Sequence, residues 1–277
     1  MNKKMRLLII GKSSFIGSSI FLKLKNKIYI KKIKYSEFIK KNKNFLSKFE
    51  YILNCSLHKN YVLNKYNKKY DLDYYILRKI KNLNVNYIFL SSRKVYSPKL
   101  NIRETEKISP RDNYAKNKII TENYIKKFFP NNYLILRLSN VIGIRFVNNN
   151  KSHNLFLDNF ILSAKKKFLL NHQDVFKDFI SINQFVHIFL KIIQNNLHGV
   201  FNVSLGRKVY VSEILRWLTS SSKNSLNIKK SYNKAYNSDS FTLDNSKLKK
   251  VLNISINKKD LKKHCLILSK KIFSKIY

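Results

Sequence analysis

The sequence predicts an α/β fold, a doubly wound parallel sheet with a smaller C-terminal region integrated into it rather than tethered. Three observations predict it. Short apolar runs alternate with longer amphipathic stretches. A glycine follows the first apolar run directly, and another lies at the start of the helix after it. No internal repeat or low-complexity linker divides the 277 residues. With 44% hydrophobic and 13% aromatic residues, the chain can bury a sizeable core, so intrinsic disorder is excluded.

The elements follow in order. Met5 to Ile10 reads as a buried strand, and Ile16 to Leu24 as a helix. Tyr29 to Ile33, Tyr51 to Asn54, Tyr87 to Ser91 and Tyr133 to Leu138 are short runs rich in β-branched and aromatic residues, each bounded by polar segments. Helices are expected over Asp73 to Lys81 and over Tyr114 to Phe129, the second closed by Pro130. After Gly143 the pattern loosens: residues 145–154 read as a loop and Leu155 to Phe168 as a helix. Phe179 to Ile182 then reads as strand, Phe185 to Ile193 as helix, Val200 to Val203 as strand, and a helix starts at Ser212 to Leu218.

The charge is extreme, 56 Lys and Arg against 15 Asp and Glu, for a net +41. Such a balance first suggests a nucleic acid or an anionic membrane as partner. Lysines, however, run from Lys3 to Lys275 without massing in one stripe, Arg is scarce, and Ile, Asn, Phe and Tyr are abundant. This is what compositional drift produces; a selected nucleic-acid face should carry more Arg for bidentate contacts. Cys55 and Cys265 make no disulfide framework, which fits a reducing, cytoplasmic setting. Lys12 interrupts the early apolar stretch and no apolar run is long enough to span a bilayer, so neither a signal peptide nor a membrane helix is expected. The six histidines lack paired-ligand spacing, and no metal site is expected.

The first strand runs into Gly11-Lys12-Ser13-Ser14-Phe15-Ile16-Gly17. Glycine after a first strand permits a tight turn, and glycine at the helix start permits close helix–strand approach, leaving N–H groups aimed at a pyrophosphate. Ser14 stands where a middle glycine is usual. The end of the second strand decides which dinucleotide fits: an acidic residue there favours NAD, yet the stretch is Ile33-Lys34-Tyr35-Ser36. Lys34 or Ser36 could receive a 2′-phosphate, which leans toward NADP over NAD. Further along, Tyr114 and Lys118 lie one helical turn apart, so an ammonium stands beside a phenol and lowers its pKa. Leu90-Ser91-Ser92 ends a strand before them, on the edge where open α/β sheets bind ligands.

With these motifs the sequence resembles the extended short-chain dehydrogenase/reductases, the NAD-dependent epimerase/dehydratase family. IIGKSSFIG, LNCS (Leu53 to Ser56), LSSRKVY (Leu90 to Tyr96), NYAKNKIITE (Asn113 to Glu122) and LRLSNVIG (Leu136 to Gly143) carry the likeness. KDFISINQFV from Lys177, GVFNVSLG from Gly199 and LDNSKLKKVLNI from Leu243 extend it in family order. The resemblance implies a Rossmann-type NAD(P)-binding domain over 1–165. It implies a mixed region over 166–277, returning to the sheet at about 177–204 and otherwise binding substrate. It makes Tyr114 the acid/base, Lys118 the partner of the nicotinamide ribose and Ser92 a donor to the reacting oxygen. Gly11, Ser14, Phe15, Ile16 and Gly17 would line the dinucleotide, with Asn54, Cys55 and Ser56 behind it. Asn140 matches a nucleotide-sugar contact, and Lys177 stands where relatives carry an arginine for the diphosphate. A homodimer formed through the Tyr114 to Phe129 helix is a family expectation.

Departures narrow the reaction. Arg93 and Lys94 replace the acidic pair that family 4,6-dehydratases place after the active-site Ser or Thr, which disfavours dehydration. Epimerisation or reduction at a keto carbon of a nucleotide-activated sugar remains. Ser152-His153 lies near where 3,5-epimerising reductases keep a histidine, but a solvated loop histidine is the simpler reading. Cys55 reads as a small packed residue rather than a nucleophile. Asn183 replaces a common family aspartate. The competing reading is a catalytically weak scaffold of the same fold binding RNA or another polyanion; Ser92, Tyr114 and Lys118, all present, argue against it.

Overall fold

The computed structural model describes residues 4–144, 157–161, 170–173, 175–222, 228–231 and 239–274. The strands are β1 (Arg6–Ile10), β2 (Tyr29–Ile33), β3 (Tyr51–Asn54), β4 (Asn86–Ser92), β5 (Tyr133–Leu138) and β6 (Asn140–Ile142). They continue with β7 (Leu170–Gln173), β8 (Phe176–Lys177), β9 (Phe179–Ser181), β10 (Gly199–Val203), β11 (Val209–Tyr210) and β12 (Ile228–Ser231). Six of them form one parallel sheet in the order β10-β5-β4-β3-β1-β2. The order reverses between β1 and β3, so the crevice at their carboxyl ends is where this class of sheet holds a ligand. The Gly11 turn leaves β1 at that crevice, and Asn54 ends β3 beside it.

The sheet forms because its strands are apolar on both faces. Leu7 and Ile9 enter one core and Leu8 and Ile10 the other, all four fully buried. Each such side chain contributes about 1.5–3 kcal/mol of burial. On one face lie helices α1 (Phe15–Leu24) and, late in the chain, Ile182–Gln194; Ile20, Leu24, Phe185 and Phe189 meet Leu53, Leu134 and Leu136 there. The short helices α2 (Tyr35–Ile39), α3 (Lys43–Leu46) and α4 (Lys59–Leu63) precede α5 (Leu72–Ile80) and α6 (Asn113–Phe128). From α5 and α6, Ile76, Ile80 and Ile125 cover Ile52, Phe89 and Ile135 on the second face.

The helix Ile182–Gln194 is α7, started by a capping box between Ser181 and Gln184. Then come α8 (Val211–Thr219), α9 (Ser246–Leu252) and α10 (Lys258–Phe273), with α10 lying against α8. Small pairs flank the main sheet: β6 runs parallel to β9 and β8 antiparallel to β11. Together with an isolated bridge from Ile102 to Leu243, they bring the second half of the chain onto the carboxyl edge of the sheet. No described helix is long and apolar enough to cross a membrane.

The expected strands at Tyr29–Ile33, Tyr51–Asn54 and Tyr133–Leu138 are found with those bounds. The expected helix over Leu155 to Phe168 is described only at 157–161, which is helical. The expected loop with Ser152 and His153 lies outside the described residues from 145 on. The helix expected to begin near Phe185 starts three residues earlier, because Ser181 caps it, and the strand before it stops accordingly at Ser181.

Candidate active site

The phosphate-binding turn is built by contact as well as by conformation. Gly11 has φ +113°, and a Cβ there would come within 2.9 Å of the Cys55 carbonyl carbon and the Ser56 nitrogen, so the turn lies directly against the chain leaving β3. Its N–H donates to Ile33 O at 2.8 Å, which ties the turn to β2. A Cβ on Gly17 would lie 2.5 Å from Ser14 Oγ and 2.9 Å from Ile9 Cγ2. The Ser14 hydroxyl donates to Gly11 O at 2.8 Å, closing the turn from within. No acidic residue occupies the first turn of α1, so its N–H groups keep their attraction for an anion. Behind the turn, Asn54 Oδ1 accepts from Ser56 N at 2.8 Å, and burial pushes the Cys55 thiol up to about 12, leaving it no thiolate near neutrality.

Strand alternation separates two adjacent serines. Ser91 points inward and donates to Glu122 Oε1 at 2.6 Å, while Ser92 opens to a cavity. Asp112 caps α6 by accepting from Ala115 N at 2.8 Å, which sets the first turn carrying Tyr114. Lys118, one turn on and only 5% exposed, donates to Leu90 O at 2.9 Å. Its ammonium lies 4.3 Å from the Phe89 ring centroid and 5.6 Å from that of Tyr114. Ser92, Tyr114 and Asn140 line one cavity of about 660 Å³ with Phe15 and Ile16 from the turn and Leu63 from α4. Asn117 holds α4 there by donating to Tyr61 O at 2.8 Å and Asn64 O at 2.9 Å.

Below the cavity, Glu122 and Arg137 form a buried two-pronged pair, Arg137 Nη2 to Oε2 at 2.6 Å and Nε to Oε1 at 3.1 Å. Arg137 also donates to Tyr96 OH at 2.6 Å. This fixes α6 to β5 and so fixes the tyrosine's helix relative to the sheet.

Of the residues expected from sequence, Gly11 lies against Cys55 and Ser56, Phe15 and Ile16 line one cavity with Ser92, Tyr114 and Asn140, and Lys118 is buried against Leu90 of that cavity. Lys34 caps α2 and is exposed, two residues beyond a lysine the motif reading passed over. That lysine, Lys32, donates to Lys12 O at 3.2 Å and stands over Phe21 at 4.6 Å. Partial burial, and then Lys12, hold its ammonium below the ordinary lysine range. Lys177 is held by Asp239 at 2.7 Å, and the same carboxylate takes Arg93 Nη2 at 2.7 Å. Asn183 donates to His264 Nδ1 at 3.0 Å, a structural pairing within the helical layer. Asp178, fully buried beside Lys177, accepts backbone N–H groups of Leu205, Gly206 and Leu243 and so joins three loops. Nothing in the local pattern around Asp178 announced that role.

The model of the NAD dependent epimerase/dehydratase family matches residues 7–204. The chain belongs to that family. Membership places it among NAD(P)-dependent oxidoreductases and epimerases of the extended short-chain dehydrogenase type. A search of curated proteins finds no match. Among solved structures, UDP-N-acetylglucosamine 4-epimerase from Methanobrevibacter ruminantium M1, in complex with UDP-N-acetylmuramic acid, aligns with TM-score 0.81 at 19% identity, over 99% of this chain and 100% of that one. UDP-glucuronic acid 4-epimerase from Bacillus cereus, in complex with NAD, aligns with TM-score 0.76 at 17% identity over 99% and 100%. RMD from Pseudomonas aeruginosa, complexed with NADPH, gives 0.76 at 16% over 98% and 100%. At these identities the likeness is one of fold. Gly11 and Gly17 pack the turn closely against the chain leaving β3 and against Ile9, and the head of α1 carries no acidic residue that would repel a pyrophosphate.

Proposed function

We propose that this chain is an NAD(P)-dependent epimerase or keto-reductase acting on a nucleotide-activated sugar. One observation carries it: Ser92, Tyr114 and Asn140 line a single cavity with Phe15 and Ile16 of the phosphate-binding turn, and the buried Lys118 donates to the carbonyl of Leu90, another lining residue. Bound in the crevice, the nicotinamide supplies hydride acceptance and return. Tyr114 holds or moves the proton at the sugar's reacting oxygen, Ser92 donates a hydrogen bond to that oxygen, and the Lys118 charge stabilises the phenolate. Arg93 and Lys94 leave no carboxylate at the two positions after Ser92, and Asp112, which lines the same cavity, is taken up by Lys94 and by the cap of α6, which agrees with a reaction other than dehydration. Gly11, Ser14, Phe15, Ile16 and Gly17 would hold the dinucleotide, and Lys177 would exchange Asp239 for a substrate diphosphate.

The cofactor reading leans to NADP. Lys32 and Lys12 set two ammonium side chains beside the turn, Lys34 follows, and no carboxylate occupies residues 31–36. The family's dimer through α6 belongs to the same reading, and light scattering of the purified protein reads it directly. The test of the reaction is a screen of nucleotide-sugars with NADP(H) and NAD(H), following nicotinamide absorbance and product stereochemistry. Tyr114→Phe is expected to lower turnover about a hundredfold or more while NADPH binding stays within about threefold. Retention of most activity removes Tyr114 from its role. Failure of both cofactors to raise Tm, together with salt-steep RNA binding, would favour the polyanion scaffold instead.

A further inference from the structure

Lys118 is a buried cation without an ion-pair partner: among the described residues no carboxylate lies within salt-bridge distance of it, and its direct acceptor is the neutral Leu90 carbonyl. An ammonium so desolvated is costly unless negative charge lies nearby. Two buried carboxylates lie behind it. Asp71, fully buried, accepts from Thr121 Oγ1 at 2.7 Å, Tyr66 OH at 3.0 Å and Tyr74 N at 3.1 Å. Asp73, 3% exposed, accepts from Asn54 Nδ2 at 2.9 Å and Tyr87 OH at 2.5 Å. All these donors are neutral, and among the described residues neither carboxylate has a salt-bridge partner.

The network touches the site at two points. Thr121, the partner of Asp71, follows Lys118 by three residues on α6 and bonds Tyr61, whose ring centroid is 5.7 Å from the Lys118 ammonium. Asn54, the partner of Asp73, pairs in register with Phe89, the ring under that ammonium. We propose that Asp73, backed by Asp71, is the counter-charge to the buried Lys118 ammonium, and thus a positioning residue for the cofactor and the tyrosine. This rests on the reading of Lys118 as the cofactor's ribose partner.

The groups facing Asp73 from the surrounding elements leave few alternatives. Cys55 after β3, Tyr35 on α2, Tyr61 on α4 and Tyr87 on β4 are all pushed up by burial and stay uncharged near neutrality. Asp71 and Lys118 remain as the charged neighbours. Burial raises Asp73 most strongly, and the Lys118 charge is the leading influence that holds it down. The Lys118 charge thus supports the ionised form of Asp73.

Both hydrogen bonds to Asp73 land on Oδ1, so Asp73→Asn can keep them while removing the charge. The experiment is fluorescence titration of NADPH and NADH from about pH 6 to about pH 10 for the unaltered protein, Asp73→Asn, Asp71→Asn and Lys118→Met. In the unaltered protein, affinity should fall at high pH. In Asp73→Asn that fall should move to lower pH by about one unit or more, weakening binding about tenfold at pH 9 and less than about threefold at pH 6.5. Lys118→Met should bind weakly with no such fall. A fall in Asp73→Asn that coincides with the unaltered protein's, or a loss equal at every pH, overturns the counter-charge role. If Lys118→Met keeps the same pH dependence, the placing of Lys118 on the cofactor fails, and the Asp73 role with it. Asp71→Asn carries the same test with a smaller displacement should Asp73→Asn not fold.

Discussion

Breaking the Glu122–Arg137 pair should be costly out of proportion to its size. The two side chains are 1% and 4% exposed, so neither ion can recover its hydration when the other is removed. Glu122→Ala leaves the guanidinium buried with only Tyr96 OH and Glu104 O as acceptors, and leaves Ser91 Oγ without its acceptor. Removal of one partner from such a pair costs about 3–5 kcal/mol. For 277 residues the unfolding entropy is about 0.6 kcal/mol per kelvin, so Tm should drop by about 5–9 °C. The paired change Glu122→Leu with Arg137→Met removes both charges and should cost less than either single change. Urea denaturation of the unaltered protein, Glu122→Leu, Arg137→Met and the paired variant, followed by circular dichroism, measures this. A single-change loss below about 1 kcal/mol, or a paired loss equal to the sum of the singles, would refute the claim that desolvated charge governs this site.

Two further outcomes are expected. Gly11→Ala should destabilise by more than Gly199→Ala, because both residues have positive φ but only Gly11 has backbone within 2.9 Å of the added Cβ, while Gly199 has nothing within 4 Å. Equal Tm losses would show that conformation alone matters there, and loss of NADPH binding should accompany only the Gly11 change. His264 is 7% exposed, and burial, with Lys23 second, holds its imidazole down to about 4, below the unfolded value of about 6.5. A depressed folded pKa gives stability that is present above pH 6.5 and lost as pH falls toward 4, so about 2 kcal/mol should go between pH 7 and pH 5. His264→Gln, whose amide oxygen can still accept from Asn183, should lose about that much less over the same interval; parallel urea midpoints for the two proteins would count against it.

The sheet could be read from the chain because its strands are buried on both faces, and an apolar run such as Tyr-Leu-Ile-Leu at Tyr133 to Leu136 has few other uses. The last helix was missed. Leu261, Cys265, Leu268 and Ile272 have helical spacing, but lysines at 262, 263, 270 and 271 break the apolar stretch, and only packing against α8 shows which face is covered. Ser92, Tyr114, Lys118 and Asn140 were visible because each sits at a strand end or helix start with a recognisable neighbour pattern. Lys32 and Asp239 were not, since each acts on a partner 20 or 62 residues away in sequence, and only folding brings them together. The carboxylates before and inside the first turn of α5 read only as helix-start residues; their burial behind Lys118 is a property of the layers.

The scarcity of acidic residues has a consequence for tolerance to substitution. With 15 carboxylates against 56 basic side chains, many of the former have fixed employment: Asp112 starts the tyrosine's helix, Asp178 joins three loops, Glu213 takes Lys258, and Asp239 gathers Arg93 and Lys177. Many of the described lysines, by contrast, are exposed. Random mutation of this protein should therefore leave a lopsided survivor pool, permissive at Lys and nearly closed at Asp and Glu, the reverse of what its net charge alone suggests.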